Sequence, residues 1–150
     1  MLDRETIQAL IPHQGLMCLL DRVESWDAHR IVCSTRSHQR SDNPLRSDDR
    51  LRALHLCEYG AQAMAVHGGL LARETGGSAK PGLLVSLRAI ELHRARIDDL
   101  ADALQVTAEK LLDAGDSWQY QFTVSHRGDV LASGRAAVMM MGASHRADAE

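Results

Sequence analysis

Leu54–Arg73, LHLCEYGAQAMAVHGGLLAR, constrains the fold more than any other stretch of the chain. It reads as one helix of about 20 residues, roughly 30 Å long. Between Glu58 and Arg73 no side chain carries a formal charge at neutral pH, and small residues (Gly60, Ala61, Ala63, Ala65, Gly68 and Gly69) occur all round it. A helix that is apolar or small on every face is normally buried on every face. Each interior glycine costs about 1 kcal/mol relative to alanine, so other parts of the chain are expected to press close against this helix. One carboxylate, Glu58, interrupts its apolar surface.

A chain of 150 residues suits one domain, expected over 1–141, followed by a loose polar tail at 142–150. Apolar residues make up 45% of it but aromatics only 3%, so the core must be built mainly from Leu, Ala, Val, Ile and Met. A net charge of −3 and a pI near 6.2 argue against a general nucleic-acid binder, which presents a basic field. Cys18, Cys33 and Cys57 are odd in number and lack close-paired spacing. They read as reduced, buried thiols of a cytoplasmic protein rather than a disulfide framework or a metal site. The N-terminal MLDRETIQALIPHQG carries acidic residues and no long apolar core, unlike a signal peptide. His55, Glu58, Gln62 and His67 argue for a buried helix in a water-soluble protein rather than a membrane span. The sequence holds no Gly-rich phosphate loop, no Ser-His-Asp order and no metal-ligand spacing, so neither a metal nor a bound cofactor is expected.

Asp3 is placed to cap a short helix that Pro12 stops. The run Leu16–Leu20 suits a strand buried on both sides or a helical turn, and His29–Gln39 a second strand with Ile31, Cys33, Thr35 and Ser37 on one face. Ser41–Arg50 is a loop of turn residues and charges. The long helix then ends near Glu74–Thr75, with Gly76, Gly77 and Ser78 as its stop and Pro81 beyond. Three strand-like segments follow, Gly82–His93, Leu104–Leu111 and Ser117–Arg127. The last has Trp118, Tyr120, Phe122 and Val124 alternating with polar residues. HRGD turns into a final strand, Val130–Met141. One long helix wrapped by a curved antiparallel sheet is an α+β layout; with five or six strands it is the hotdog architecture, which no physical rule forces over another α+β packing.

Two motifs carry a family resemblance. Ile11-Pro12-His13-Gln14-Gly15-Leu16-Met17-Cys18-Leu19-Leu20-Asp21-Arg22-Val23 resembles the LPHR-x-P-x-LLVDRV opening of bacterial 3-hydroxyacyl-acyl-carrier-protein dehydratases. Glu58-Tyr59-Gly60-Ala61-Gln62 resembles their E-A-x-A-Q at the start of the central helix. The likeness in order and spacing covers about the first half of the chain and is greatest to a branch associated with aryl polyene and related fatty-acid-like pathways. It implies a hotdog fold and syn elimination of water from a 3-hydroxyacyl thioester. A histidine would take the α-proton, an acid would protonate the departing hydroxyl, and a backbone N–H at the helix start would polarise the carbonyl. It also implies a substrate held on phosphopantetheine, an acyl carrier protein as partner, and a homodimer or a heterodimer with another hotdog dehydratase.

By this resemblance Glu58 is the general acid, and a carboxyl inside an apolar helix is expected to hold its proton more tightly than usual because desolvation disfavours the charge. The family's usual base lies in H-F-P-G, 14 residues before the acid; here that position is Pro44, and the P-G pair at the helix start reads Arg52-Ala53. His13, in the other motif, is either the replacement base or a structural or entrance-lining histidine, with His55 and His38 as further candidates for the base. Gln62, His55 and Ala53 are expected to contact substrate; Gln62 either orients the Glu58 carboxyl by a hydrogen bond or packs its amide in the core, while His67 reads as a buried helix residue. The arginines around the helix start (Arg46, Arg50, Arg52) and the third strand (Arg88, Arg94, Arg96) are a solvated face or a contact for a phosphate or an acidic carrier protein. Two other readings stand beside the dehydratase: a non-catalytic hotdog subunit that supports an active partner, and an acyl thioesterase.

Overall fold

A computed structural model of the chain describes residues 1–76 and 82–140. Its elements are β1 (Leu2–Asp3), α1 (Arg4–Leu10), β2 (Arg22–Trp26), β3 (Arg30–Thr35), α2 (Leu56–Glu74), β4 (Gly82–Leu92), β5 (Leu104–Asp113), β6 (Ser117–His126) and β7 (Asp129–Met140). The strands form one sheet in the order β1-β2-β3-β5-β6-β7-β4, antiparallel at every pairing. α2 packs against β3, β5, β6 and β7, and α1 lies against α2 beside them. This is the hotdog arrangement, with seven strands because Leu2–Asp3 pairs with Arg22–Val23. The expected tail at 142–150, and Gly77, Ser78 and Pro81 of the expected helix stop, lie outside the described residues.

Local chemistry explains most of the elements. Asp3 caps α1 by accepting the Thr6 N–H at 2.9 Å. The turn between β6 and β7 places Arg127 at φ +53° and Gly128 at φ +82°, the two positive values that a two-residue hairpin matching the sheet twist requires. On β6, Tyr120, Phe122 and Val124 face the core, opposite Ala136 and Ala132 of β7. On β5, Leu104, Val106 and Ala108 do the same.

The helix glycines meet the close approaches expected of them. A Cβ on Gly60 would lie 2.6 Å from Phe122 Cγ, one on Gly68 3.1 Å from Trp118 Cζ3, and one on Gly69 3.2 Å from Leu10 Cβ. The aromatic face of β6 therefore sits directly on the helix backbone, and α1 closes a second side. Burial is nevertheless not complete. Leu54 is 61% exposed, and Cys57, Glu58, Ala61 and Ala65 are only partly covered. These positions recur at helical spacing and form one stripe that neither the sheet nor α1 reaches, which corrects the expectation of a rod buried all round. Cys57 is likewise half-buried rather than buried, while Cys18 and Cys33 are buried and all three thiols are free.

Several boundaries differ from expectation. Leu16–Leu20 is not a strand. Gly15–Met17 forms a 3-10 turn that Gly15 enters at φ +57°, and the next strand starts only at Arg22. Cys18, Leu19 and Leu20 are buried as the apolar run implies, but side chains rather than a ladder satisfy the backbone at Leu19. Gln62 accepts the Leu19 N–H, and the Thr35 and Ser37 hydroxyls both donate to the Leu19 carbonyl. The strand expected over His29–Gln39 stops at Thr35, and Ser37–Gln39 forms a second 3-10 turn. A third such turn, Ala53–His55, precedes α2.

Two buried histidines lock distant segments together. His67 Nε2–H donates to the Asp27 carbonyl at 2.7 Å, so Nδ1 accepts the Tyr120 hydroxyl, also at 2.7 Å. His38 Nε2–H donates to the Leu100 carbonyl at 3.0 Å. Burial lowers the proton affinity of both rings below the ordinary value of 6.5, outweighing the carbonyl contacts that raise it. Nearby charges add to this: His126, Arg36 and Arg46 around His38, and Lys110 and His29 around His67, with Asp27 opposing. The unfolded chain therefore takes up these protons first. Stability is full above pH 6.5 and falls as pH drops through it, by at most about 1.4 kcal/mol per pH unit for each ring. Urea unfolding at about pH 7.5, 6.5 and 5.5 should show this loss, and His67→Gln should flatten it; a pH-independent midpoint would contradict the assignment.

Candidate active site

The chain between α1 and β2 carries His13 across the start of α2. Arg4 holds this crossing from one side, its guanidinium donating to the Gly15 carbonyl at 2.6 Å and to Asp21 Oδ1 at 3.2 Å. The Gln14 amide donates to the carbonyls of Gln8 and Ile11 at 2.6 and 3.1 Å, folding the segment back on the end of α1. From the other side Gln62 of α2 accepts the Leu19 N–H at 2.9 Å and donates to the Met17 carbonyl at 2.7 Å.

The result is a close pair: His13 Nε2 lies 3.4 Å from Glu58 Oε1. Their side chains are 29% and 38% exposed, so the pair is half-open rather than sealed. The complete burial of Glu58 expected from its apolar neighbours is therefore absent, because Glu58 lies on the uncovered stripe of α2. The other ring nitrogen, His13 Nδ1, is buried with no hydrogen-bond partner among the described residues. Leu16, Met17 and Leu54, next to the pair in sequence or one helical turn away, are exposed apolar side chains.

The remaining candidates take other places. Gln62 is buried and spends its amide on the His13 segment, not on the Glu58 carboxyl. Ala53 is buried and its N–H donates to the Ala95 carbonyl at 3.0 Å, so that donor is already engaged. His55 ends the 3-10 turn before α2 and is partly exposed. His38 is buried against Leu100, where it clamps the segment leading to β5. Pro44 sits exposed in the loop before α2. Arg96 pairs with Asp98, and Arg94 with Asp99 at 3.3 Å. Arg50 and Arg52 make no ion pair among the described residues, and Arg52 bridges to Arg96 through the backbone. No group of residues that could hold a metal occurs among those described, and no described helix is long and apolar enough to cross a membrane.

Sequence reasoning missed Tyr59 and Asn43 as supports. The Asn43 amide donates to the Tyr59 hydroxyl at 3.2 Å and to the Ser37 carbonyl at 2.9 Å, and Ser37 Oγ lies 2.9 Å from the Tyr59 hydroxyl. Since Ser37 also donates to the Leu19 carbonyl, this buried network reaches the His13 segment. A tyrosine directly after the acid, facing the core, was the available signal.

The sequence matches the ApeP-like family, described as ApeP dehydratase, over residues 5–147. No curated protein matches it significantly. Among solved structures, the dehydratase heterocomplex ApeI:P from Xenorhabdus doucetiae superposes with a TM-score of 0.82 at 21% identity, covering 95% of each chain. Zebra fish thioesterase superfamily member 2 gives a TM-score of 0.63 at 15% identity, covering 92% of this chain and 95% of its own. A hypothetical thioesterase with coenzyme A from Streptococcus pneumoniae gives 0.60 at 13% identity, covering 81% and 85%. At these identities the structural likenesses establish the hotdog fold and no more.

Proposed function

The chain belongs to the ApeP-like dehydratase family, and from that premise we propose that it removes water from a 3-hydroxyacyl thioester carried on acyl carrier protein. The observation that carries the reading is the 3.4 Å contact of His13 Nε2 with Glu58 Oε1. The step requires a neutral ring and a protonated carboxyl at the outset. His13 Nε2 takes the α-proton, the C–H electrons form the Cα–Cβ double bond, and the Cβ–O bond breaks as Glu58 protonates the hydroxyl. The products are an enoyl thioester and water, leaving imidazolium beside carboxylate. Their contact then supplies the reset, since one proton passing from His13 to Glu58 restores the starting pair.

The site is half-open in the isolated chain, and exposed Leu16, Met17 and Leu54 flank it. This supports assembly with a second hotdog chain, as a homodimer or with another dehydratase, whose surface would dry the pair. The similar Xenorhabdus doucetiae structure is itself a dehydratase heterocomplex. The arginines before α2 suit the phosphate of a phosphopantetheine arm or an acidic carrier, and the free thiols suit the cytoplasm.

A second reading, a non-catalytic subunit for an active partner, draws on Pro44 standing where the usual base would be. Incubating the purified chain with a 3-hydroxyacyl carrier-protein substrate, alone and with a hotdog dehydratase partner, separates the two. The expected result is enoyl product that falls by about 10²-fold or more in His13→Ala. Turnover only with the partner, and unchanged in His13→Ala, would transfer the chemistry to the partner. Release of free acid instead of enoyl product would point to thioester hydrolysis.

A further inference from the structure

We propose that Gln62 is a positioning residue that sets where His13 stands relative to Glu58; this rests on the dehydratase reading of that pair. Glu58 and Gln62 are separated by one helical turn, so they lie on nearly the same face of α2. The buried Gln62 amide grips the crossing segment at two backbone points, the Met17 carbonyl and the Leu19 N–H. Between these points and His13 the backbone is internally braced. The Met17 N–H donates to the Gln14 carbonyl at 3.1 Å and the Cys18 N–H to the Gly15 carbonyl at 3.2 Å. Fixing Met17 and Leu19 thus fixes Gln14 and the histidine that precedes it. The same helix face supplies the acid and the ruler for the base.

Arg4 acts on the same segment from outside, through the Gly15 carbonyl. Gln62 differs in coming from the helix that bears Glu58, so it ties the segment directly to the acid's own backbone. A purely packing role for Gln62 would leave the pair's geometry untouched once the fold survived.

The test uses Gln62→Met, which keeps the size and removes both bonds, with Tyr120→Phe as a control that loses a buried bond to His67, away from the crossing segment. In Gln62→Met kcat should fall about 10-fold or more with KM changed by less than about 3-fold, because a misplaced group is felt mainly in the transition state. In a His13→Ala background the same substitution should cost less than about 2-fold, since its partner is already gone. An activity-independent readout is the ring NMR resonances of His13, which should move in Gln62→Met towards those of Glu58→Gln and stay put in Tyr120→Phe. If Gln62→Met does not fold, Arg4→Met loosens the segment from its exposed side and should move the same resonances. His13 resonances that respond to Glu58→Gln but not to Gln62→Met or Arg4→Met would overturn the proposal, as would equal kinetic losses in both backgrounds. Full activity of His13→Ala and Glu58→Gln would overturn the dehydratase reading instead, while the resonances would still decide the positioning role.

Discussion

Replacing Glu58 by Gln is expected to lower turnover of a 3-hydroxyacyl carrier-protein substrate by about 10² to 10⁴, the usual contribution of a positioned acid or base. The substitution keeps the side chain's shape and removes the proton it must donate. Stability should barely move. Glu58 is 38% exposed and its contact with His13 is half-open, and even a charged pair at such exposure contributes about 1 kcal/mol or less. Enoyl formation measured beside a thermal melt separates the effects. Full turnover would remove Glu58 from the chemistry, whereas lost turnover with a collapsed melt would assign it to the fold.

The second large effect concerns stability. Phe122→Ala should destabilise the chain by about 3–5 kcal/mol, the range for emptying a buried aromatic site. Phe122 is fully buried and packs over both Gly60 of α2 and Gly134 of β7. Gly60→Ala should also destabilise it, because the new methyl would meet the ring at 2.6 Å. Overpacking costs about 1–3 kcal/mol, against about 1 kcal/mol gained from alanine's helix propensity. In the Phe122→Ala background the clash is gone, so Gly60→Ala should become neutral or mildly stabilising. Urea unfolding of the four proteins in this cycle reads the reversal. An equal loss in both backgrounds would mean that contact with Phe122 is not why position 60 is glycine.

The pattern of the chain made much of this fold legible. Apolar alternation marked β5 and β6, Asp3 and Pro12 bounded α1, and the charge-free run marked α2 as the central rod. The family motifs singled out His13 and Glu58, although they lie 45 positions apart in sequence. Misreadings arose where a local pattern had more than one physical solution. Cys18–Leu20 is an apolar run that a buried strand would explain, but the backbone of Leu19 is partnered by side chains of Gln62, Thr35 and Ser37, and no local rule identifies those. Gln62 was read as either an orienting partner for the Glu58 carboxyl or a packed core amide; it is buried, and its amide serves the segment crossing above it.

Sequence alone therefore determined most of the element types, the helix at the centre of the sheet and the need for close packing at its glycines, and it pointed to Glu58 as the acid while leaving His13, His55 and His38 open as the base. Those follow from periodicity, side-chain size and the spacing of two motifs, all local properties of the chain. Only the tertiary structure decided that His13 and Glu58 meet at 3.4 Å, that Gln62 holds the segment between them, and that one stripe of α2 stays uncovered. Each of these depends on how an irregular crossing segment settles on a helix, which is fixed by long-range hydrogen bonds and by whatever surface remains to cover the face.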